Sequence, residues 1–114
     1  MQKSLIEKYI ADAMLHGECS HNGNWRLGNK AMDRLMAAIP KFRAMPDRGE
    51  SALTALLDHP SEWVRLCAAT DLLPLREDLA RGVLEKLLKA SSRHAAFDAK
   101  MVLSEWDKGR LRGP

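Results

Sequence analysis

Aromatic and β-branched residues are scarce in this chain: Phe occurs twice and Tyr once, which argues against a β-sandwich or barrel. Its two cysteines, Cys19 and Cys67, lie far apart and form no spaced pair, so neither a disulfide framework nor a cysteine-based zinc site is implied. Both read as small apolar residues in packing, Cys67 falling between core positions Val64 and Ala68. No apolar run approaches the ~18–20 residues that span a bilayer. The start, Met1-Gln2-Lys3-Ser4-Leu5-Ile6-Glu7, turns acidic too early for a secretory signal. The expected compartment is the cytoplasm. A phosphate-cradling glycine loop, a nucleophile elbow and a dinucleotide fingerprint are also missing, and the paired carboxylates Glu77-Asp78 have no catalytic setting. The chain is therefore read as non-enzymatic, with no cofactor.

Charge of one sign is never concentrated. Residues 1–57 hold eight basic and six acidic side chains, and residues 58–114 hold ten and nine. A phosphate-tracking surface needs Lys and Arg gathered on one face. The best row is Arg26, Lys30 and Arg34, with Asp33 interrupting the neighbouring face, and it reads as a solvated helix surface. The absence of an acidic block likewise argues against a strongly cationic nuclease as partner.

What the chain does have is leucine, alanine and methionine at helical spacing, in 114 residues of which 46% are apolar. The predicted fold is all-α, three stacked HEAT-like hairpins of about six helices in one domain over 1–109, followed by a short basic tail at 110–114. The most telling stretch runs from Leu56 to Ala69. There the Leu56-Leu57 pair closes one helix, Pro60 prevents its continuation, and Ser61 caps the next, in which Val64, Ala68 and Leu72 recur.

A second copy supports repetition. Shifting by 31 positions matches Asp47 to Asp78, Leu53 to Leu84, Leu56 and Leu57 to Leu87 and Leu88, Ser61 to Ser92, Ala68 to Ala99, and Leu72 to Leu103. Apolar residues fall on one stripe, a hydroxyl at the cap, and a small alanine where helices approach closely. The spacing is shorter than the ~40–47 residues of HEAT units, so the hairpins are trimmed.

The first helix is predicted over Gln2 to Leu15, ended by Gly17 in a left-handed turn, with a polar loop from His16 to Asn24. The second runs from Asn24 to Ala38 with Met32, Met36 and Ile39 on its apolar face, and Pro40 either stops it or kinks it, with Phe42 as the continuation in the second case. The third covers Glu50 to Asp58 and the fourth Ser61 to Leu73. The fifth opens at Glu77-Asp78 and buries Leu79, Val83, Leu84, Leu87 and Leu88. The sixth begins at Ser91-Ser92, and Gly109 terminates it. His16, Cys19 and His21 share the first loop without a fourth ligand, so no metal site is assigned. His59 before Pro60 is read as a cationic ring facing exposed carbonyls at a helix end, and His94 as a surface residue in a first turn.

The stretches Asn29-Lys30-Ala31-Met32-Asp33, Leu53 to Leu57, Val64-Arg65-Leu66-Cys67-Ala68-Ala69, Val83-Leu84-Glu85 and Leu103-Ser104-Glu105-Trp106-Asp107-Lys108-Gly109 resemble a small bacterial HEAT-like family catalogued as domain of unknown function twenty-nineteen. The resemblance implies an α–α fold and brings no catalytic residues with it. In such repeats the arginine of the central run bridges to an acidic or carbonyl group nearby, which here gives Arg65 a structural role with Asp58 or Asp71 as acceptor. Second helices of stacked hairpins line one surface, and here they carry Trp25, Trp63 and Trp106. Trp106 is in phase with the core. Trp25 and Trp63 either pack over hairpin ends or contact a partner. Asn29 and Asp33 either brace the first hairpin or face the groove.

The resulting expectation is a protein-binding module with Trp25, Arg26, Asn29, Asp33, Trp63 and Asp98 as partner-facing residues, and with Arg65, Asp71, Ser61 and Ser92 structural. By analogy with small helical-repeat immunity proteins, the partner is another protein, such as a cognate toxin. A nucleic-acid-binding helical repeat is the alternative. No membrane partner is expected, and both a monomer and a homodimer fit.

Overall fold

Leucine- and alanine-rich stripes fold into six helices and no strand in the computed structural model, which describes residues 4–109. They are α1 (Leu5–Asn22), α2 (Trp25–Arg43), α3 (Glu50–Leu56), α4 (Glu62–Leu72), α5 (Glu77–Leu87) and α6 (Arg93–Asp107). α1 pairs with α2, α3 with α4 and α5 with α6, giving the three expected hairpins. α4 is the hub, touching α3, α5, α1 and α6. Its Val64, Ala68, Ala69 and Leu72 are wholly buried in a hydrophobic cluster that takes in residues from every helix.

The 31-residue spacing corresponds to equivalent places. Ser61 and Ser92 both cap, their hydroxyls accepting from Val64 N and Ala95 N at 3.4 and 3.2 Å. Ala68 and Ala99 are fully buried, as are Leu53 and Leu84. The match fails at Leu57 and Leu88, 9% and 43% exposed, because Leu57 joins the central cluster while Leu88 lies on the outer side of α5. Leu79 is exposed on the same helix, contrary to the predicted burial.

Two helix ends differ from expectation for packing reasons. α1 does not stop near Gly17 but runs to Asn22. Gly17 is buried, and a Cβ there would lie 2.2 Å from the Trp63 ring. A mid-helix glycine costs about 1 kcal/mol against alanine. Burying ~150–250 Å² of indole at about 25 cal/mol per Å² outweighs that several-fold. The left-handed stop is Gly23, φ 77°, whose N–H donates to the Cys19 carbonyl at 3.0 Å.

α2 continues through Pro40 to Arg43. An interior proline costs about 3 kcal/mol, and the extra turn offsets this by burying Phe42 edge-on to Tyr9, centroids 5.3 Å apart. Arg43 adds hydrogen bonds to the Arg48 and Asp71 carbonyls, at 3.0 and 2.5 Å, which tie the end of α2 to α4. Gly109 ends α6 as predicted, with φ 79° and its N–H on the Trp106 carbonyl. The helix start at Gln2 and the basic tail at 110–114 lie outside the described residues. Among the described residues no helix is long and apolar enough to cross a membrane.

Candidate functional site

The second helices of the three hairpins, α2, α4 and α6, face one another across an apolar groove of about 240 Å³. α2 presents Met32, Leu35, Met36 and Ile39, a stripe turned slightly from the Ala31, Ala38 and Phe42 face that packs inward. α4 presents Trp63, Leu66, Cys67, Thr70 and Asp71. From α6 come Asp98, Met101 and Val102, and α1 adds His16. Met36 and Met101 remain substantially exposed at its edge, and Phe97, 61% exposed, precedes Asp98 on α6. A second depression of about 260 Å³, lined by Cys19, Trp25, Gly28 and Asn29 among others, shares His16 with the groove.

Most polar groups of the groove are already committed. Tyr9 Oη donates to Asp71 Oδ2 at 2.5 Å across the α1–α4 contact. Burial raises the Asp71 carboxyl to about 6, against the lowering effects of that hydrogen bond and of the Arg43 charge. Burial, followed by the neighbouring Asp71 charge, also raises the Tyr9 hydroxyl well above its usual range. Cys67 is raised by burial and then by Asp71 and Asp98, so its thiol stays protonated and is a poor nucleophile at neutral pH. Thr70 donates to the Leu66 carbonyl within its own helix.

Asp98 differs from these. Burial raises its carboxyl, His16 and His94 partly oppose that shift, and no hydrogen bond or ion pair to Asp98 exists among the described residues. His16 Nδ1 is buried with no hydrogen-bond partner among those residues. A histidine cluster continues beyond it. His21 lies edge-on to His94 with centroids 5.1 Å apart, and its Nε2 is 3.2 Å from Ser92 Oγ.

The structure distributes the expected site residues unevenly. Asp98 lines the groove. Trp25, 66% exposed, and Asn29 line the second depression, and the Arg26 guanidinium sits 5.4 Å from the Trp25 ring centroid. Trp63 is only 8% exposed because its ring fills the space above Gly17, so it is a wall of the groove rather than a projecting contact. Asp33 is exposed and lines neither depression. Of the structural assignments, Ser61 and Ser92 cap as expected. Arg65 donates to the His59 carbonyl at 3.1 Å, not to Asp58 or Asp71, because Asp71 faces Tyr9.

Two further corrections concern histidine. His16, Cys19 and His21 belong to α1 rather than to a loop, and among the described residues no three potential ligands converge on a metal position. His59 Nδ1 accepts from Ser61 N at 3.0 Å, so the ring acts as an acceptor and not as a cation facing carbonyls. Within the basic row, Arg34 is held by Asp12 at 2.8 Å.

Sequence reasoning assigned Met32, Met36 and Ile39 to the core and overlooked Met101. The available signal was the width of the α2 apolar arc, too broad for one helix neighbour once Ala31, Leu35, Ala38 and Phe42 are packed.

The model of the family described as Domain of unknown function (DUF2019) matches residues 9–107. The chain belongs to that family. The match takes in five helices whole and all but the first residues of α1, so the groove of this DUF2019 chain lies inside the family's own extent. No curated protein and no solved structure matches significantly.

Proposed function

We propose that this DUF2019 chain is a non-catalytic protein-binding module that receives an apolar element of another protein in the groove between α2, α4 and α6. The observation that carries the reading is the groove itself: an apolar channel lined in part by exposed Met36 and Met101, in a chain whose charges elsewhere are mixed. Clustered exposed apolar surface rimmed by polar residues marks interaction sites, and methionine suits surfaces that adapt to a partner. The protonated Cys67 is no activated nucleophile and Asp71 is bonded to Tyr9, which favours binding over nucleophilic catalysis in the groove. In its narrower form the role is that of an immunity protein acting in the cytoplasm by stoichiometric cover of a toxin, a task suited to a small rigid binder. The pairing of Arg34 with Asp12 removes one member of the basic row and weakens the nucleic-acid alternative.

The test is capture from the native host with wild type and Met36→Glu, followed by binding of the captured protein, purified, to both. One protein bound by wild type and released by the folded variant supports the reading. Retention of nucleic acid instead, with affinity falling steeply as salt rises, would replace it.

A further inference from the structure

We propose that the occupant of the groove is an amphipathic helix of a partner protein that carries a lysine or arginine among its apolar anchors, the cation seated against Asp98. This rests on the protein-binding reading above and specifies the partner's chemistry.

Size and shape favour a helix face over a small molecule. At about 240 Å³ the groove is smaller than the ~300–1,000 Å³ of drug-sized ligand sites, and it suits a few anchor side chains. Its α2 wall runs from Met32 to Ile39, a rise of roughly 10 Å at ~1.5 Å per residue. Anchors at i, i+3 or i+4 and i+7 of a docked helix cover that length. Met32, Met36 and Met101 can repack around such anchors.

Charge complementarity supplies the cation. Neither lysine nor arginine lines the groove, and of its two carboxylates Asp71 is already bonded to Tyr9. Asp98 has only the nearby histidines to oppose its charge and makes no hydrogen bond or ion pair among the described residues. Covering it with a wholly apolar helix would desolvate a carboxylate without compensation, and an acidic helix would add repulsion. A helix with one buried basic group meets both demands, the apolar walls and the unmatched charge. Arginine or lysine with an apolar stem can pass the methionines and reach the carboxylate.

The probe is a phage-displayed library of single helices with four groove-facing positions randomised, selected separately on wild type, Asp98→Asn and Asp98→Lys. Enriched helices are then made as labelled peptides and their affinities measured by fluorescence anisotropy. The expected result is apolar anchors with one Lys or Arg on wild type, an affinity at least tenfold above that of the same peptide with Glu at that position, and loss of this preference on Asp98→Asn. Asp98→Lys should enrich Glu or Asp instead. Circular dichroism melts establish that each variant is folded, and the charge reversal keeps the test decisive where a single loss would be ambiguous. Enriched helices that lack a cation but are released by Met36→Glu would overturn the charge assignment while leaving groove binding standing. Absence of any enriched helix would overturn the helical occupant. A sedimentation mass of two chains that Met36→Glu reduces to one would overturn it in favour of a second copy.

Discussion

Helices α4 and α6 stand 31 residues apart in the same register and share their buried faces, yet they diverge where they meet the groove. Ser61, Ala68 and Leu72 recur as Ser92, Ala99 and Leu103, the cap and the inward stripe. The α4 groove residues Leu66, Cys67, Thr70 and Asp71 correspond by register to Phe97, Asp98, Met101 and Val102, of which the last three line the groove. Exposure follows the same division, with Leu66 at 5% and Phe97 at 61%. Packing against a neighbouring helix admits few solutions, so the inward positions coincide. The outer positions answer to a different demand on each helix. On α4 Leu66 is buried and Asp71 is bonded to Tyr9, whereas on α6 Phe97 and Met101 are exposed.

Even the shared inward stripe is not equally enclosed on the two helices. Leu72 is wholly buried at the hub, whereas Leu103 is 9% exposed on a helix with fewer neighbours. Leu72→Ala should therefore cost about 4 kcal/mol and Leu103→Ala about 2 kcal/mol, the upper and lower parts of the usual leucine truncation range. Urea unfolding of both variants measures the difference, and equal losses would mean that the two helices are equally constrained.

A second difference is electrostatic. Asp71 occupies the position that Val102 holds on α6, and burial raises its carboxyl to about 6 in the folded chain from 3.8. The folded state then binds more protons than the unfolded one between these values. Stability from this group is complete below about pH 4 and is lost as pH rises through 6, by up to about 3 kcal/mol. Asp71→Asn should flatten this part of the stability profile while keeping an acceptor for Tyr9. Chemical denaturation from pH 4 to 7 decides it, and a wild-type profile no steeper than that of the variant would remove Asp71 as the cause.

The caps should behave alike. Ser61→Ala and Ser92→Ala are each expected to cost about 1 kcal/mol. Ser92 has an additional contact to His21 Nε2, so its loss should be the slightly larger of the two. Thermal melts resolve the pair.

Features carried by local chemistry were legible in the sequence: the caps Ser61 and Ser92, the stop at Gly109, and the inward stripe of α4 all follow from residue type and period. Features fixed by a distant partner were not. Gly17 reads as a terminator until Trp63 is known to lie on it, and Pro40 reads as a stop or a kink until the contact of Phe42 with Tyr9 decides for continuation. The lining of the groove was hidden for the same reason, although its place on the second helices was not. Met32 and Met36 carry the helical period of a core face, and only the placement of α4 and α6 across from them shows that this face borders an open channel.

The smallest effect on stability should come from the exposed aromatic of α6. Phe97→Ser removes an aromatic that is 61% exposed and should change stability by no more than about 0.5 kcal/mol. The equivalent Leu66→Ser truncates a 5% exposed leucine and buries a hydroxyl beside the core, which should cost several kcal/mol, on the order of a leucine truncation or more. Two substitutions in one register then separate a residue that holds the fold from one that the fold holds out. If Phe97→Ser proves as destabilising as Leu66→Ser, the ring packs in solution rather than standing in water. If Phe97→Ser leaves the melt unchanged and abolishes capture of the partner, an exposed aromatic beside Asp98 is accounted for by binding, because an unneeded apolar ring in water offers the folded chain nothing.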